Sequence, residues 1–317
     1  MPATTVIVRG AGSMGRQHLD ALRGMPGVDK LAAWPAREPA PEAVTAAGSP
    51  LAVIVATDTK RHVADTLDAL ARGASVLVEK PLAVDANAAR ALLAVDGAER
   101  RVFVGCVLRF QRALAAFIEW LPDIGAVHAV RIECQTHLPD WRPGRDHRSG
   151  YSARADEGGV LRDLIHEVDY ATWIFGAPAR VRGQLATTGR LGIQAEESAD
   201  LAWTAPSGPQ VSMRLDYLTQ PRRRTMVADG ALGSLRWDGI AQRVELALAD
   251  GSSRSRRFRQ ARERMVTEQD RAFLRAVAGR DPGPLASLRD GIMALAVCDA
   301  ARRSSDRGAW EAVQAGD

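Results

Sequence analysis

Lysine is scarce in this chain, and that makes one lysine informative. Of 42 basic residues only Lys30, Lys60 and Lys80 are lysines. Arginine does not release its proton near neutrality, whereas lysine can, so a lysine retained amid arginine is a candidate for proton chemistry. Lys30 and Lys60 read as ordinary surface residues. Lys80 differs because it sits in Glu79-Lys80-Pro81, directly after a strand-like run. In open α/β sheets ligands gather beyond the carboxyl ends of the strands. The proline keeps residue 80 out of the helical region, in an extended turn. A lysine so placed could exchange the proton of an alcohol during hydride transfer.

A second pattern, Gly10-Ala11-Gly12-Ser13-Met14-Gly15, follows a short β-branched run and opens a helical one. That context gives the glycine spacing its meaning. Gly10 permits a tight turn, Gly12 lets backbone approach a pyrophosphate, and Gly15 allows close helix–strand packing. Unpaired N–H groups at the helix start, around Ser13 and Met14, suit phosphate oxygens. An acidic residue about 20 residues further on normally reads the ribose diol of NAD. Residues 31–37 here are LAAWPAR, without a carboxylate and with Arg37 just past the strand end. Arginine can pair with a 2′-phosphate, so NADP is favoured over NAD. The third pattern lies in a helical stretch, where Asp163 and His166 are three apart and would share a face. Glu167 is adjacent, but no second histidine has metal-ligand spacing, and no metal is expected.

The elements that must position these residues fall into two rhythms. Over the first 120 residues strands alternate with helices: strands near 5–9, 31–34, 51–56, 75–78 and 101–104, helices near 15–22, 61–72 and 85–94. Such alternation implies right-handed βαβ crossovers and a parallel sheet. After Pro122 a strand over 127–135 leads into a polar loop, 137–159, then one helix over 160–175. Strand-like segments from 181 to 248 follow without intervening helices, which argues for antiparallel pairing. Helices over 265–278 and 285–303 close the chain. The expected fold is an α/β Rossmann domain, 1–122, followed by an α+β domain, 123–317, with a large, mostly antiparallel open sheet. The C-terminal helix is expected to pack back on the first domain.

Composition excludes several classes. A 317-residue chain with 46% apolar and 25% charged residues can bury a sizeable core. No apolar run approaches the roughly 18 residues of a membrane span. The first residues carry no basic segment followed by an apolar stretch, so no secretory signal is expected. Cys106, Cys134 and Cys298 are too widely spaced for a disulfide framework or zinc knuckle. A cytoplasmic protein is the expectation. Six arginines between 254 and 264 have a single aromatic, Phe258, among them, which favours a solvated loop over a nucleic-acid site.

In combination these patterns resemble the Gfo/Idh/MocA oxidoreductase family over essentially the full length. The carriers are GAGSMG at 10–15, ATDTKRH at 56–62, VLVEKPLA at 76–83, GCVLRF at 105–110 and GGVLRDLIHEVDYATWIFG at 158–176. LPDWRPGRDHRSGYSAR at 138–154 and LDYLTQP at 215–221 resemble a branch found in sugar-biosynthesis neighbourhoods. The resemblance implies NAD(P)-dependent oxidation or reduction of a sugar-like alcohol or ketone. It implies a catalytic role for Lys80, and substrate contact or proton relay for Asp163 and His166. Thr57, His62 and Glu79 join the implied cofactor site, and Arg109, Trp141, Arg142 and Tyr151 the implied substrate site. Two departures stand out: many members space the aspartate and histidine four apart, and Val107 replaces a frequent asparagine. A redox-cycling glycosidase and a catalytically silent NAD(P)-binding regulator are the alternatives.

Two further expectations concern partners. The loop His137 to Arg154 carries Arg142, Arg145, Arg148 and Arg154 against Asp140 and Asp146, which points to an anionic substrate. Val211, Met213 and Leu215 alternate with polar residues, and few later helices are available to cover them. A homodimer or homotetramer that buries this stripe is expected.

Overall fold

The computed structural model describes residues 3–36, 38 and 51–314. They form two compact units. The first runs to Phe110 and takes in Gln260–Ile292; the second comprises Gln111–Arg259 and the chain from Met293 onward.

The first unit is built on β1 (Thr4–Arg9), β2 (Val28–Trp34), β3 (Leu51–Val55), β4 (Ser75–Glu79) and β5 (Val102–Gly105). All five are parallel, in the order β5-β4-β3-β1-β2. β1, β3 and β4 are near-continuous apolar runs because helices cover both faces of the sheet. The helices Ser13–Leu22 and His62–Ala71 follow β1 and β3 as crossovers.

One expected boundary is corrected. The helix Arg262–Val277, expected in the second domain, belongs to the first unit. Its Ala272, Phe273 and Leu274 join Val6, Val8, Ile54 and Leu77 in one core. The chain then adds a short antiparallel strand at the sheet edge, Ala286–Ser287 against Val104 and Phe103. The first unit therefore consists of two chain segments, the first reaching Phe110 rather than 122 and the second, Gln260–Ile292, completing its core.

The second unit carries a nine-stranded sheet. In chain order its strands are β6 (Val127–His137), β7 (Arg180–Ala186), β8 (Ser198–Thr204), β9 (Gln210–Asp216), β10 (Leu218–Gly230), β11 (Gly233–Asp238), β12 (Arg243–Leu248) and β13 (Ser253–Arg257). With the edge strand of the first unit counted as β14, the short β15 (Glu311–Ala312) completes the set. Every pairing is antiparallel except β6 with β9. The arginine-rich stretch expected as a loop begins as β13, a fully exposed edge strand. Charged edges of this kind discourage pairing with another chain.

The self-association motive is also corrected. Val211, Met213 and Leu215 are each at most 2% exposed within this unit. Helices from earlier in the chain serve that face: Arg112–Trp120 buries Phe117, and Ile165–Phe175 sets Tyr170 edge-on against Trp237 at 5.4 Å. The opposite face is polar, with ion pairs such as Arg131–Asp229 at 2.8 Å. Among the described residues no helix is long and apolar enough to cross a membrane.

Candidate functional site

The glycine turn matches its chemistry residue by residue. Gly10 has φ +111°, and a Cβ there would lie 2.4 Å from the Ala56 carbonyl oxygen. A Cβ on Gly15 would meet the Gly10 carbonyl at 1.9 Å, so the helix crosses the turn in backbone contact. Gly12 is the reverse case, exposed with nothing within 4 Å. It caps the helix Ser13–Leu22 without a side-chain hydrogen bond, which leaves the N–H groups around Ser13 and Met14 for a ligand. The cradle fits a pyrophosphate.

Around it, the expected cofactor residues divide. Thr57 donates to Asp65 at 2.8 Å, and Asp65 also pairs with Arg9 at 2.8 Å. These partners hold the Asp65 carboxyl below its ordinary range, against the opposing effect of burial. Arg9 in turn stacks on Trp34, 3.6 Å from the ring centroid. Trp34, at the end of β2, is thus a buried aromatic where NAD-binding folds place a carboxylate. Arg37 lies outside the described residues. His62 is 2% exposed, with its ring nitrogens 2.8 Å from the Pro81 carbonyl and 3.0 Å from that of Thr57. Burial pushes its pKa down, while the two carbonyls act in the opposite sense, and the ring links the two turns from within.

Glu79 is corrected from a cofactor contact to an internal anchor. It is buried, and its Oε1 lies 3.0 Å from His18 Nε2. The other ring nitrogen of His18 lies 2.9 Å from Asp270 Oδ1. Burial lowers the pKa of this imidazole, but the two carboxylates outweigh it and raise the value to about 10. Its charge in turn holds Glu79 below the ordinary carboxylate range, while burial and Glu79 push Asp270 up. Three elements meet here: the helix after the glycines, β4, and the returning helix Arg262–Val277. Lys80 follows Glu79 and is partly exposed.

In the second unit the expected single helix over 160–175 is broken. Val160–Asp163 and Ile165–Phe175 are separate segments, with Leu164 at φ −98°, ψ 28° between them. Asp163 and His166 therefore do not occupy one continuous helical face. Both are largely buried, and Asp163 Oδ2 accepts a 2.6 Å hydrogen bond from the Tyr217 hydroxyl. Tyr151 lies close to Asp163 as well, and burial beside that carboxylate pushes both phenols up, so they stay protonated. Glu167 points inward to Arg224 at 2.8 Å. Trp141 is 37% exposed, donates to Thr136 at 2.9 Å, and stands edge-on to Tyr217 at 5.4 Å. Arg142 faces the Tyr151 ring at 5.7 Å.

Arg109 departs from its expected place in the substrate site. It is 4% exposed in the first unit and pairs with Asp290 at 3.3 Å. The residues missed from sequence are His18, Asp270 and Tyr217. Tyr217 lay within the LDYLTQP stretch; His18 and Asp270, 252 positions apart, had no shared signal. Among the described residues no group of three or more His, Cys, Asp or Glu could hold a metal ion.

Family models match both parts of the chain. Residues 29–106 match the oxidoreductase family with an NAD-binding Rossmann fold, and 122–236 match the GFO/IDH/MocA C-terminal domain. The chain belongs to the Gfo/Idh/MocA oxidoreductase family. A curated relative, inositol 2-dehydrogenase from Rhizobium meliloti (strain 1021), is 29% identical over 93% of this chain and 94% of its own length. Two solved structures share the fold. Levoglucosan dehydrogenase in complex with NADH superposes with TM-score 0.84 at 17% identity, covering 99% of each chain. An oxidoreductase from Agrobacterium radiobacter, in complex with NAD+, L-tartaric acid and magnesium, gives 0.83 at 18%, also over 99% of each. As a Gfo/Idh/MocA member the chain is an oxidoreductase with an NAD-binding Rossmann domain and a mixed-sheet C-terminal domain.

Proposed function

We propose that this oxidoreductase interconverts a secondary alcohol and a ketone on a sugar-like ring. The observation that carries the proposal is the open glycine cradle together with Lys80, partly exposed directly after the carboxyl end of β4. The relatives named inositol 2-dehydrogenase and levoglucosan dehydrogenase support a polyhydroxylated ring as substrate. Oxidising an alcohol removes a hydride from carbon and a proton from oxygen. The nicotinamide, when bound, supplies the hydride-accepting carbon. Gly10, Gly12 and Gly15 with the N–H groups at Ser13 and Met14 would hold the dinucleotide. Lys80 would exchange the hydroxyl proton, and Asp163, held by Tyr217, and His166 would contact the substrate.

The cofactor we propose is NADP in preference to NAD. Support comes from Trp34 in place of a carboxylate and from Arg37 beyond it in sequence. Mixing the protein with myo-inositol, levoglucosan and related polyols, with each cofactor in turn, should raise the absorbance of reduced nicotinamide for at least one pair. Silence across the whole panel in both directions would sink the proposal. In calorimetry NADP should bind more tightly than NAD, and Arg37→Ala should cost NADP roughly 10- to 100-fold, the weight of one charge-assisted contact. Equal affinities would refute the preference.

A further inference from the structure

The cationic loop between β6 and the helix Val160–Asp163 divides its charges unevenly. Arg148 donates to Asp146 at 3.0 Å, and Arg154 pairs with the buried Glu157. Asp140 accepts from Gln220 and faces His137. Arg142 and Arg145 are left over, exposed and without a carboxylate partner among the described residues. The turn that holds them is defined by the Arg145 N–H donating to the Arg142 carbonyl at 3.1 Å, across Pro143 and Gly144. A turn of that kind brings its first and fourth residues close together. Both arginines line one shallow, solvent-open depression, with Trp141, Asp146, His147 and Ser149.

Trp141 is oriented by its bond to Thr136 and stands edge-on to Tyr217, whose hydroxyl reaches Asp163 at 2.6 Å. Arg142 faces Tyr151, which lies close to Asp163. Trp141 and Arg142, on the rim of the depression, are thus tied through Tyr217 and Tyr151 to the surroundings of Asp163.

We propose that Arg142 and Arg145 bind a phosphoryl group carried by the substrate, with Trp141 against the adjoining ring; this rests on the oxidoreductase reading above. Two planar guanidinium forks offer paired N–H donors to the several oxygens of a phosphoryl dianion, and two positive charges balance it. A neutral sugar would leave both charges unused. A single carboxylate would engage one fork.

The test is calorimetric titration of the full chain saturated with NAD+, which keeps phosphates off the glycine cradle. The probes are pyrophosphate, glucose 6-phosphate, UDP-glucose, glucuronate and glucose. At least one phosphoryl probe should bind 10-fold or more tightly than glucose and glucuronate, and weaken as salt rises. Arg142→Gln and Arg145→Gln should each cost that probe roughly 10-fold, about 1.4 kcal/mol. Both residues are exposed, so thermal melting serves as the folding control, and Lys30→Gln should change nothing. UDP-glucose ahead of glucose 6-phosphate identifies a diphosphate, and the reverse order a monophosphate. Binding no tighter than glucose, equal binding of glucuronate, or affinity that survives both substitutions overturns the proposal. Hydride transfer to a neutral sugar without phosphoryl binding would retain the oxidoreductase reading and remove this one. Arginine-dependent phosphoryl binding with no hydride transfer to any sugar would do the opposite.

Discussion

Each unit holds a proposed site residue beside a glutamate that turns inward, and the two glutamates are balanced differently. In the first unit Glu79 precedes Lys80 and shares the imidazolium of His18 with Asp270. Two carboxylates then face one positive charge in a fully enclosed site. In the second unit Glu167 follows His166 and has Arg224 at 2.8 Å, one carboxylate to one guanidinium. The inward glutamate is common to both. The charge ratio is not, and it makes the first cluster sensitive to protonation and the second dependent on keeping both partners.

The largest expected effect removes the residue beside the first anchor. Lys80→Met should lower turnover by roughly 10²–10⁴, the usual weight of general acid–base catalysis. Cofactor affinity should stay within a few-fold, since the glycine cradle is untouched. A variant retaining a fifth or more of the parent rate would place the proton transfer elsewhere.

Next come the anchors themselves. Arg224→Met leaves the fully buried Glu167 carboxylate without its partner, which typically costs about 3–5 kcal/mol. Asp270→Asn leaves His18 and Glu79 paired one to one, so a smaller loss of about 1 kcal/mol, near one hydrogen bond, is expected. Urea midpoints of the two variants measure the difference. Equal losses would show that the two clusters are not distinguished by their charge ratio.

A further test separates the clusters by pH. The folded-state pKa of His18 is raised from 6.5 to about 10 by the two carboxylates. Its contribution to stability is fully present below about pH 6.5 and is lost as pH rises through about 10. Arg224 is held still higher above the ordinary arginine value by Glu167, so the second cluster keeps its charge across this window. Stability should therefore fall between pH 7 and pH 10 in the parent, and this slope should shrink in His18→Gln. An unchanged slope would mean that other groups set the alkaline limb.

The glycine cradle was readable from the linear chain because backbone sterics fix it locally. A Cβ at Gly10 or Gly15 collides with backbone a few residues away or on the next strand, so spacing alone carries the meaning. The parallel sheet was readable for a related reason: β1, β3 and β4 are apolar without alternation. The helix over 160–175 was misjudged at one residue. Leu164 leaves helical geometry between two segments that each look helical in composition, and Asp163 takes its partner from Tyr217 instead.

By itself the sequence determined the fold class, the family, the cradle for a dinucleotide and the singular place of Lys80. Each of these depends on short-range spacing or on the periodicity of apolar residues. The tertiary structure alone decided that the helix Arg262–Val277 completes the first unit, that His18, Glu79 and Asp270 form one buried cluster, and that Tyr217 holds Asp163. It also decided which two of four loop arginines remain without a carboxylate. These outcomes rest on hydrogen bonds and ion pairs between residues far apart in the chain. Such directional contacts leave no periodic trace, because a single charged residue looks the same in sequence whether its partner is water or a buried carboxylate.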